Sequence, residues 1–125
     1  MASSKAKLVT SWVLSALPSL MMLGPSAYFK LNPSAEMATD FAKIGLTTQQ
    51  VFVIGIVEIV IVLLYLFPRT SFLGAILVTG YLGGATFVHV RGQEPFIGPI
   101  IFGILIWVGL GLRRPEIFRL ALGKQ

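Results

Sequence analysis

Residues 51–67 read VFVIGIVEIVIVLLYLF, seventeen positions that contain a single charge, Glu58. A helix needs about 20 predominantly apolar residues to cross the roughly 30 Å hydrocarbon core of a bilayer. The stretch approaches that length, and its apolar residues do not alternate with polar ones as those of a membrane β-strand do. It therefore predicts a transmembrane helix.

Three further stretches without a charged residue surround it, at 8–29, 70–90 and 95–112. The composition agrees, because 55% of the residues are hydrophobic and 12% are charged, whereas about a quarter of a soluble domain is charged. The sequence predicts an all-α, polytopic membrane protein, a single domain built as a bundle of four transmembrane helices. The first stretch also has features of a secretory signal peptide, although its apolar run is long and prolines crowd the position of cleavage.

Two amphipathic segments lie outside these spans. In residues 33–44, Met37, Phe41 and Ile44 recur at helical spacing, between a cap at Asn32 and a helix end at Gly45. They predict an outer amphipathic helix that lies on the bilayer or covers the bundle as a lid. Residues 113–125, RRPEIFRLALGKQ, predict a basic tail with a short interfacial helix.

The distribution of cations predicts the orientation. Seven cations lie on the side of the two termini and three on the side of the longer loop: Lys5, Lys7, Arg69, Arg113, Arg114, Arg119 and Lys124 against Lys30, Lys43 and Arg91. The positive-inside rule then places both termini in the cytoplasm. These cations do not form a stripe interleaved with aromatic residues, so the net charge of +5 does not indicate a nucleic-acid partner.

The sequence excludes several classes of chemistry. It has no cysteine and one histidine, His89, so its own side chains cannot hold an iron–sulfur cluster or both axial ligands of a haem. Neither a metal-ligand cluster nor a Ser/His/Asp set can be assembled. We therefore expect no built-in cofactor and no independent catalytic activity.

Glu58 is the first candidate for a functional residue, because an ionisable side chain near the bilayer midplane is costly and needs a partner. No lysine or arginine lies within any predicted span, so the sequence predicts no ion pair and favours the neutral acid. Hydroxyl partners at similar depth are Ser15, Ser19, Thr79 and Tyr81. A neutral acid there can donate a hydrogen bond to a quinone carbonyl, exchange a proton, or simply tie two helices together.

Two further polar residues join this hypothesis. Tyr65 lies two turns from Glu58 on the same helical face, as an interfacial anchor or a proton relay. His89 ends the third span, more than about 10 Å from the midplane. With Tyr81, these residues form the predicted set of cavity or quinone contacts.

Small residues are candidates for helix packing. Gly80 and Gly84 form a GxxxG motif in the third span, and Ser11, Ser15 and Ser19 form a stripe at four-residue spacing in the first. Such residues let helix backbones approach closely. Either set can serve packing within the bundle or a homo-oligomer interface.

Several short motifs are similar to those of a known family. They are Gly55-Ile-Val-Glu58, Pro68-Arg69-Thr70, Gly74-Ala75, Gly84-Ala85, His89 with Arg91, Leu105-Ile106-Trp107, Gly109-Leu110 and Arg113-Arg114-Pro115. In these the chain resembles the DoxX-like family of small four-helix membrane proteins. The resemblance implies a prokaryotic cytoplasmic (inner) membrane location and a link to redox work, since the family's names come from a subunit of a thiosulfate:quinone oxidoreductase. It implies an accessory or anchoring subunit, with a quinone as its ligand and an oxidoreductase complex as its partner.

Two alternatives from other classes stay open. Small proton-coupled transporters have a similar length, four helices and one membrane-buried glutamate, although theirs lies in the first helix. A purely structural assembly subunit would explain the GxxxG motif and the serine stripe without any ligand.

Overall fold

A computed structural model describes residues 2–124, with side chains from Ser4 onward, and this part of the chain is helical without a strand. The elements are α1 Ala2–Met21, a π-helical turn Met22–Ser26, α2 Ala27–Leu31, α3 Ala35–Lys43, α4 Thr48–Leu66, a 3₁₀ turn Pro68–Thr70, α5 Ser71–Arg91, α6 Ile97–Arg113 and α7 Pro115–Ala121. α1, the π-helical turn and α2 follow one another directly and are called the first long helix. The predicted all-α class is confirmed.

Within the described residues, three helices are long and apolar enough to cross a membrane: the first long helix over Ser4–Leu31, α4, and the segment Pro68–Arg91. α6 has 17 residues and bends by 114° into α7, and this pair is the fourth candidate. Large apolar side chains such as Leu17, Val60 and Ile104 stand exposed on the outer faces. Such faces require hydrocarbon around them, so the chain is a helical membrane bundle.

Local sequence signals explain where α4 and α3 begin and end. Thr47 and Gln50 form a capping box at the start of α4, with each side chain accepting from the other's backbone N–H, and Pro68 follows its end. The cap of α3 is Ser34, whose hydroxyl accepts from the N–H of Met37 at 3.2 Å, so the predicted cap at Asn32 is wrong. Gly45 lies just after α3 with φ +84°, a left-handed conformation that glycine adopts at little cost.

The basic tail forms α7 after the sharp bend. Pro115 occupies its first turn, where a missing N–H costs nothing. Ile117 is buried against the bundle, whereas Leu120 and Leu122 are exposed.

The hydrophobic core lies in one half of the bundle. We call the end that carries both termini and the 67–70 turn the terminal end, and the opposite end the loop end. The core residues are Met22, Ile61, Val62, Tyr65, Ala75, Val78, Leu82, Ile106, Leu110 and Ile117, mostly toward the terminal end. There α1 packs on α6, α6 on α5, and α5 on α4.

The glycines at the closest helix crossings are not those of the GxxxG motif. A Cβ on Gly109 would lie 3.0 Å from the carbonyl oxygen of Ser11, and one on Gly74 would clash with the backbone of Tyr65. At Gly80 and Gly84, a Cβ would meet nothing within 4 Å. The predicted packing role of Gly80 and Gly84 inside the bundle is therefore wrong, because no neighbouring backbone approaches them.

The serine stripe faces the bundle interior. Ser11, Ser15 and Ser19 are completely buried, and each hydroxyl donates to a carbonyl oxygen one turn earlier, at 2.6 to 2.8 Å. Back-bonding of this kind satisfies a hydroxyl in an apolar environment. Because the serine side chains are short and lie against their own helix, α6 can approach α1 closely at Gly109.

Candidate functional site

A cavity of about 670 Å³ occupies the half of the bundle toward the loop end. Its walls come from the second part of the first long helix, α4, α5 and the start of α6, and the end of α3 covers it. Most of the lining is apolar or small, as at Met22, Ile54, Gly84 and Phe102. The volume lies within the range typical of small-molecule sites.

A polar triad, formed by Ser26, Lys30 and Glu58, lies at the deep side of this cavity. The Ser26 hydroxyl donates to Glu58 Oε1 at 2.9 Å, and Lys30 Nζ donates to Ser26 Oγ at 2.6 Å. Lys30 Nζ also lies 3.4 Å from each oxygen of Glu58. The side chain of Glu58 is 1% exposed and that of Lys30 is 21% exposed. The carboxylate is therefore buried, whereas the lysine side chain is partly open to the cavity.

This ion pair overturns the prediction that Glu58 has no cation within reach. The charge-free stretch places Lys30 in the loop after a span that ends at residue 29, but the first long helix continues through Leu31. Side chains of a helix lean toward its N-terminus, so Lys30 reaches back one turn to Ser26 and Glu58. A long side chain can thus bring its charge inside the bundle from a residue at the helix end.

Of the four hydroxyl partners predicted for Glu58, Tyr81 lines the same cavity as Glu58, whereas the other three are engaged elsewhere. Ser15 lies 2.9 Å from the Tyr65 hydroxyl, Ser19 donates to its own helix, and Thr79 accepts from Trp107 at 2.6 Å. On the first long helix, the residues that reach Glu58 are Ser26 and Lys30, which lie about two turns or more beyond Ser19.

The closeness of Lys30 and Glu58 depends on a glycine one turn away. A Cβ on Gly55 would lie 3.0 Å from the Cβ of Lys30 and 3.3 Å from a methyl carbon of Leu31. Gly55 therefore lets α2 lie directly against α4. The π-helical turn Met22–Ser26 precedes this contact, and such turns within α-helices are frequent at functional sites.

Two of the other predicted site residues also line the cavity. The ring of Tyr81 lies 5.7 Å from Lys30 Nζ, a cation–π distance. His89 has Nδ1 2.7 Å from the carbonyl oxygen of Ala85. Since a carbonyl only accepts, Nδ1 is the donor in this hydrogen bond.

Tyr65 belongs to a different cluster at the terminal end. Its hydroxyl lies 2.7 Å from the carbonyl oxygen of Ile106 as well as close to Ser15, and it does not line the cavity. Arg113 Nη2 donates to Ser15 at 3.1 Å, and its guanidinium stacks on Trp12 at 3.8 Å. The structure therefore separates Tyr65 from Glu58, Tyr81 and His89.

The loop end of the cavity is covered by the segment around α3. Phe41, Ile44 and Leu46 contribute to its lining, and Ile44 approaches Gly92 at the end of α5. Two exposed carboxylates, Asp40 and Glu94, stand at this end.

A family model for the DoxX-like family matches residues 13–109, or 97 of the 125 positions. The chain belongs to the DoxX-like family. The matched region includes every residue that lines the cavity, from Met22 to Phe102. No curated protein and no solved structure matches this DoxX-like chain.

The geometry allows a specific kind of chemistry. A buried carboxylate with an ammonium group beside it can accept a hydrogen bond from a ligand hydroxyl, while the ammonium donates to a ligand carbonyl. The apolar and small residues of the lining leave space for a ring next to these groups. The site is therefore suited to a small apolar molecule that carries oxygen atoms.

Proposed function

We propose that this DoxX-like protein is an accessory membrane subunit that binds a quinone in the cavity beside Glu58 and serves a partner oxidoreductase. The observation that carries the proposal is the polar triad at the deep side of an otherwise apolar cavity. A quinone combines a flat ring with two carbonyl acceptors, and the corresponding quinol has two hydroxyl donors. The ammonium group of Lys30 can donate to a carbonyl of the quinone, and the carboxylate of Glu58 can accept from a hydroxyl of the quinol.

The assignment as an accessory subunit rests on the sequence. The chain has no cysteine and a single histidine, so its own side chains supply neither a thiolate-held cluster nor a bis-histidine haem. Electrons for a quinone bound here would come from a partner. The redox link that the family resemblance implies supports this division of work.

The alternatives are supported less well. A proton-coupled transporter needs a carboxyl group that gains and loses its proton, whereas Lys30 already neutralises Glu58. An assembly subunit would use Gly80 and Gly84 for close helix contacts, but both face the cavity. Protection of growth against toxic cations that depends on Glu58 would favour transport instead.

The test begins with the protein purified from its native membrane in a mild detergent. Mass spectrometry of the extracted lipids and co-purifying proteins is expected to find a quinone and an oxidoreductase. A quinone titration then compares the wild type with Glu58→Gln and Gly84→Leu, the second of which fills the cavity. We expect both variants to weaken binding about tenfold or more, since each removes a polar partner or the space for the ring.

The matched control is Gly83→Leu. Gly83 is the neighbour of Gly84 on α5, has nothing within 4 Å of a Cβ, and does not line the cavity. Its variant should bind like the wild type. A wild-type protein that retains no quinone and titrates none would overturn the proposal, as would a Gly84→Leu variant that binds as well as Gly83→Leu.

A further inference from the structure

The first long helix parts from α6 at the loop end. Its α1 portion packs along α6, but no Cα of residues 22–31 comes within 8 Å of an α6 Cα. Those residues pack on α4 instead. The bundle therefore has a lateral gap between residues 22–31 and the start of α6.

The local structure explains this separation. The π-helical turn Met22–Ser26 lies just beyond the part of the helix that contacts α6, and Gly55 allows α2 to approach α4 closely. The ion pair between Lys30 and Glu58 holds α2 on that side. The gap is thus determined by the same residues that form the polar triad.

The lateral gap is continuous with the cavity. Met22, Ser26 and Lys30 line the cavity on one side of it, and Gly98 and Phe102 line it on the other. Gly98 is exposed, and a Cβ there would meet nothing within 4 Å. The opening therefore faces outward between two helices of the bundle, where lipid chains lie.

The loop end of the cavity, which faces the water side, is partly covered. Phe41 and Ile44 cover the loop end, and the carboxylates of Asp40 and Glu94 stand there. Lys30 and Glu58 neutralise each other at the deep side, and Asp40 lies 3.7 Å from Lys43 at the mouth, so neither pair offers a net charge to attract an ionic head group. An uncharged head group fits the site best.

We infer that the ligand is an uncharged-headed, long-chain amphiphile that reaches the cavity sideways from the bilayer and leaves its tail in the lateral gap. The inference rests on the proposed function, because it takes the quinone head group from that proposal and adds where the tail lies and how the ligand enters. The head lies beside the polar triad. The tail passes Gly98 into the surrounding lipid.

The test measures binding of two quinones with the same ring, one with an isoprenoid tail and one without. Wild-type protein is expected to bind the tailed form at least about tenfold more tightly, since a few buried methylene groups contribute that much. Gly98→Trp, which fills the gap, should remove this advantage, so that the variant binds the two forms with about equal affinity. Gly83→Trp is the control, and it should behave like the wild type.

The outcomes separate this inference from the proposed function. If wild-type protein binds neither quinone, the proposed function fails and the inference fails with it. If both bind but the tail advantage survives Gly98→Trp, the function stands and the lateral gap does not hold the tail. Equal loss of both forms in Gly98→Trp would also overturn the gap, because the ring site itself would then lie there.

A second measurement does not depend on the variant. A quinone carrying a nitroxide in the middle of its tail is bound to the wild-type protein in lipid nanodiscs. We expect the label to be relaxed by oxygen dissolved in the bilayer and protected from a water-soluble nickel complex. The reverse pattern would place the tail in the aqueous mouth and overturn the inference.

Discussion

Lys30 and Glu58 form the most consequential contact of single residues in the bundle. Glu58 is ten residues into α4, about 15 Å along the helix axis. A carboxylate at that depth is tolerated when a cation and a hydroxyl compensate its lost hydration. Ser26 and Lys30 provide this compensation, and both come from the same face of the first long helix.

Removal of the cation alone should be costly. We expect Lys30→Met to lower the free energy of unfolding by about 3 kcal/mol, because it leaves Glu58 buried without its partner. The double variant Lys30→Met/Glu58→Leu should regain most of that loss. Unfolding in mixed detergent micelles, followed by circular dichroism, measures both.

The control for this prediction is a second lysine in an exposed pair. Lys43 lies 3.7 Å from Asp40, and both side chains are more than half exposed. Lys43→Met should therefore change the stability by less than about 1 kcal/mol. Equal effects of Lys30→Met and Lys43→Met would show that the buried pair contributes little.

At the scale of the helices, the glycines divide into two classes. Gly74 and Gly109 lie where two backbones approach each other, whereas Gly80 and Gly84 border open space. Their sequence context does not distinguish them, since every one of them lies in an apolar helix. The distinction depends on which helix lies opposite each glycine. A single sequence does not show which helices are neighbours.

This division predicts opposite effects of the same substitution. Gly109→Ala places a methyl group 3.0 Å from the Ser11 carbonyl oxygen, so it should destabilise the fold by about 1–3 kcal/mol through overpacking. Gly80→Ala meets no neighbour within 4 Å and should be neutral or stabilising by up to about 1 kcal/mol, because alanine favours the helix. Thermal unfolding in detergent compares the two. If Gly80→Ala destabilised the protein, this expectation would be wrong and the GxxxG motif would have a role in helix packing.

The helices themselves were largely predictable, and their ends were less so. Charge-free stretches of near-membrane length fix the positions of the long helices, and Gly45 marks the end of α3. The first long helix continues past residue 29 because a lysine at a helix end can turn its charge inward. That single extension places Lys30 in the site and not in a loop.

The whole molecule has a packed half and an open half. The terminal end contains the core, the serine stripe and the Arg113 cluster, and the loop end contains the cavity and the lateral gap. The sequence indicated the intramembrane acid but not the cavity around it. A cavity forms where helices that are distant in sequence diverge. The periodicity of residues within one helix does not predict that divergence.

The remaining prediction for the whole molecule concerns its orientation. Seven cations lie at the terminal end against three at the loop end, so the positive-inside rule places the termini in the cytoplasm and the covered mouth of the cavity outside.

The chain has no cysteine, so single introduced cysteines can report this orientation directly. We expect Glu36→Cys and Gln93→Cys to react with a membrane-impermeant maleimide in intact cells, and Ser4→Cys and Leu120→Cys to react after the membrane is opened. Labelling at Gln93 but not at Leu120 also requires α6 to cross the bilayer, because these residues flank it. The opposite pattern would invert the protein, and labelling of both flanks from outside would remove α6 from the membrane-spanning set.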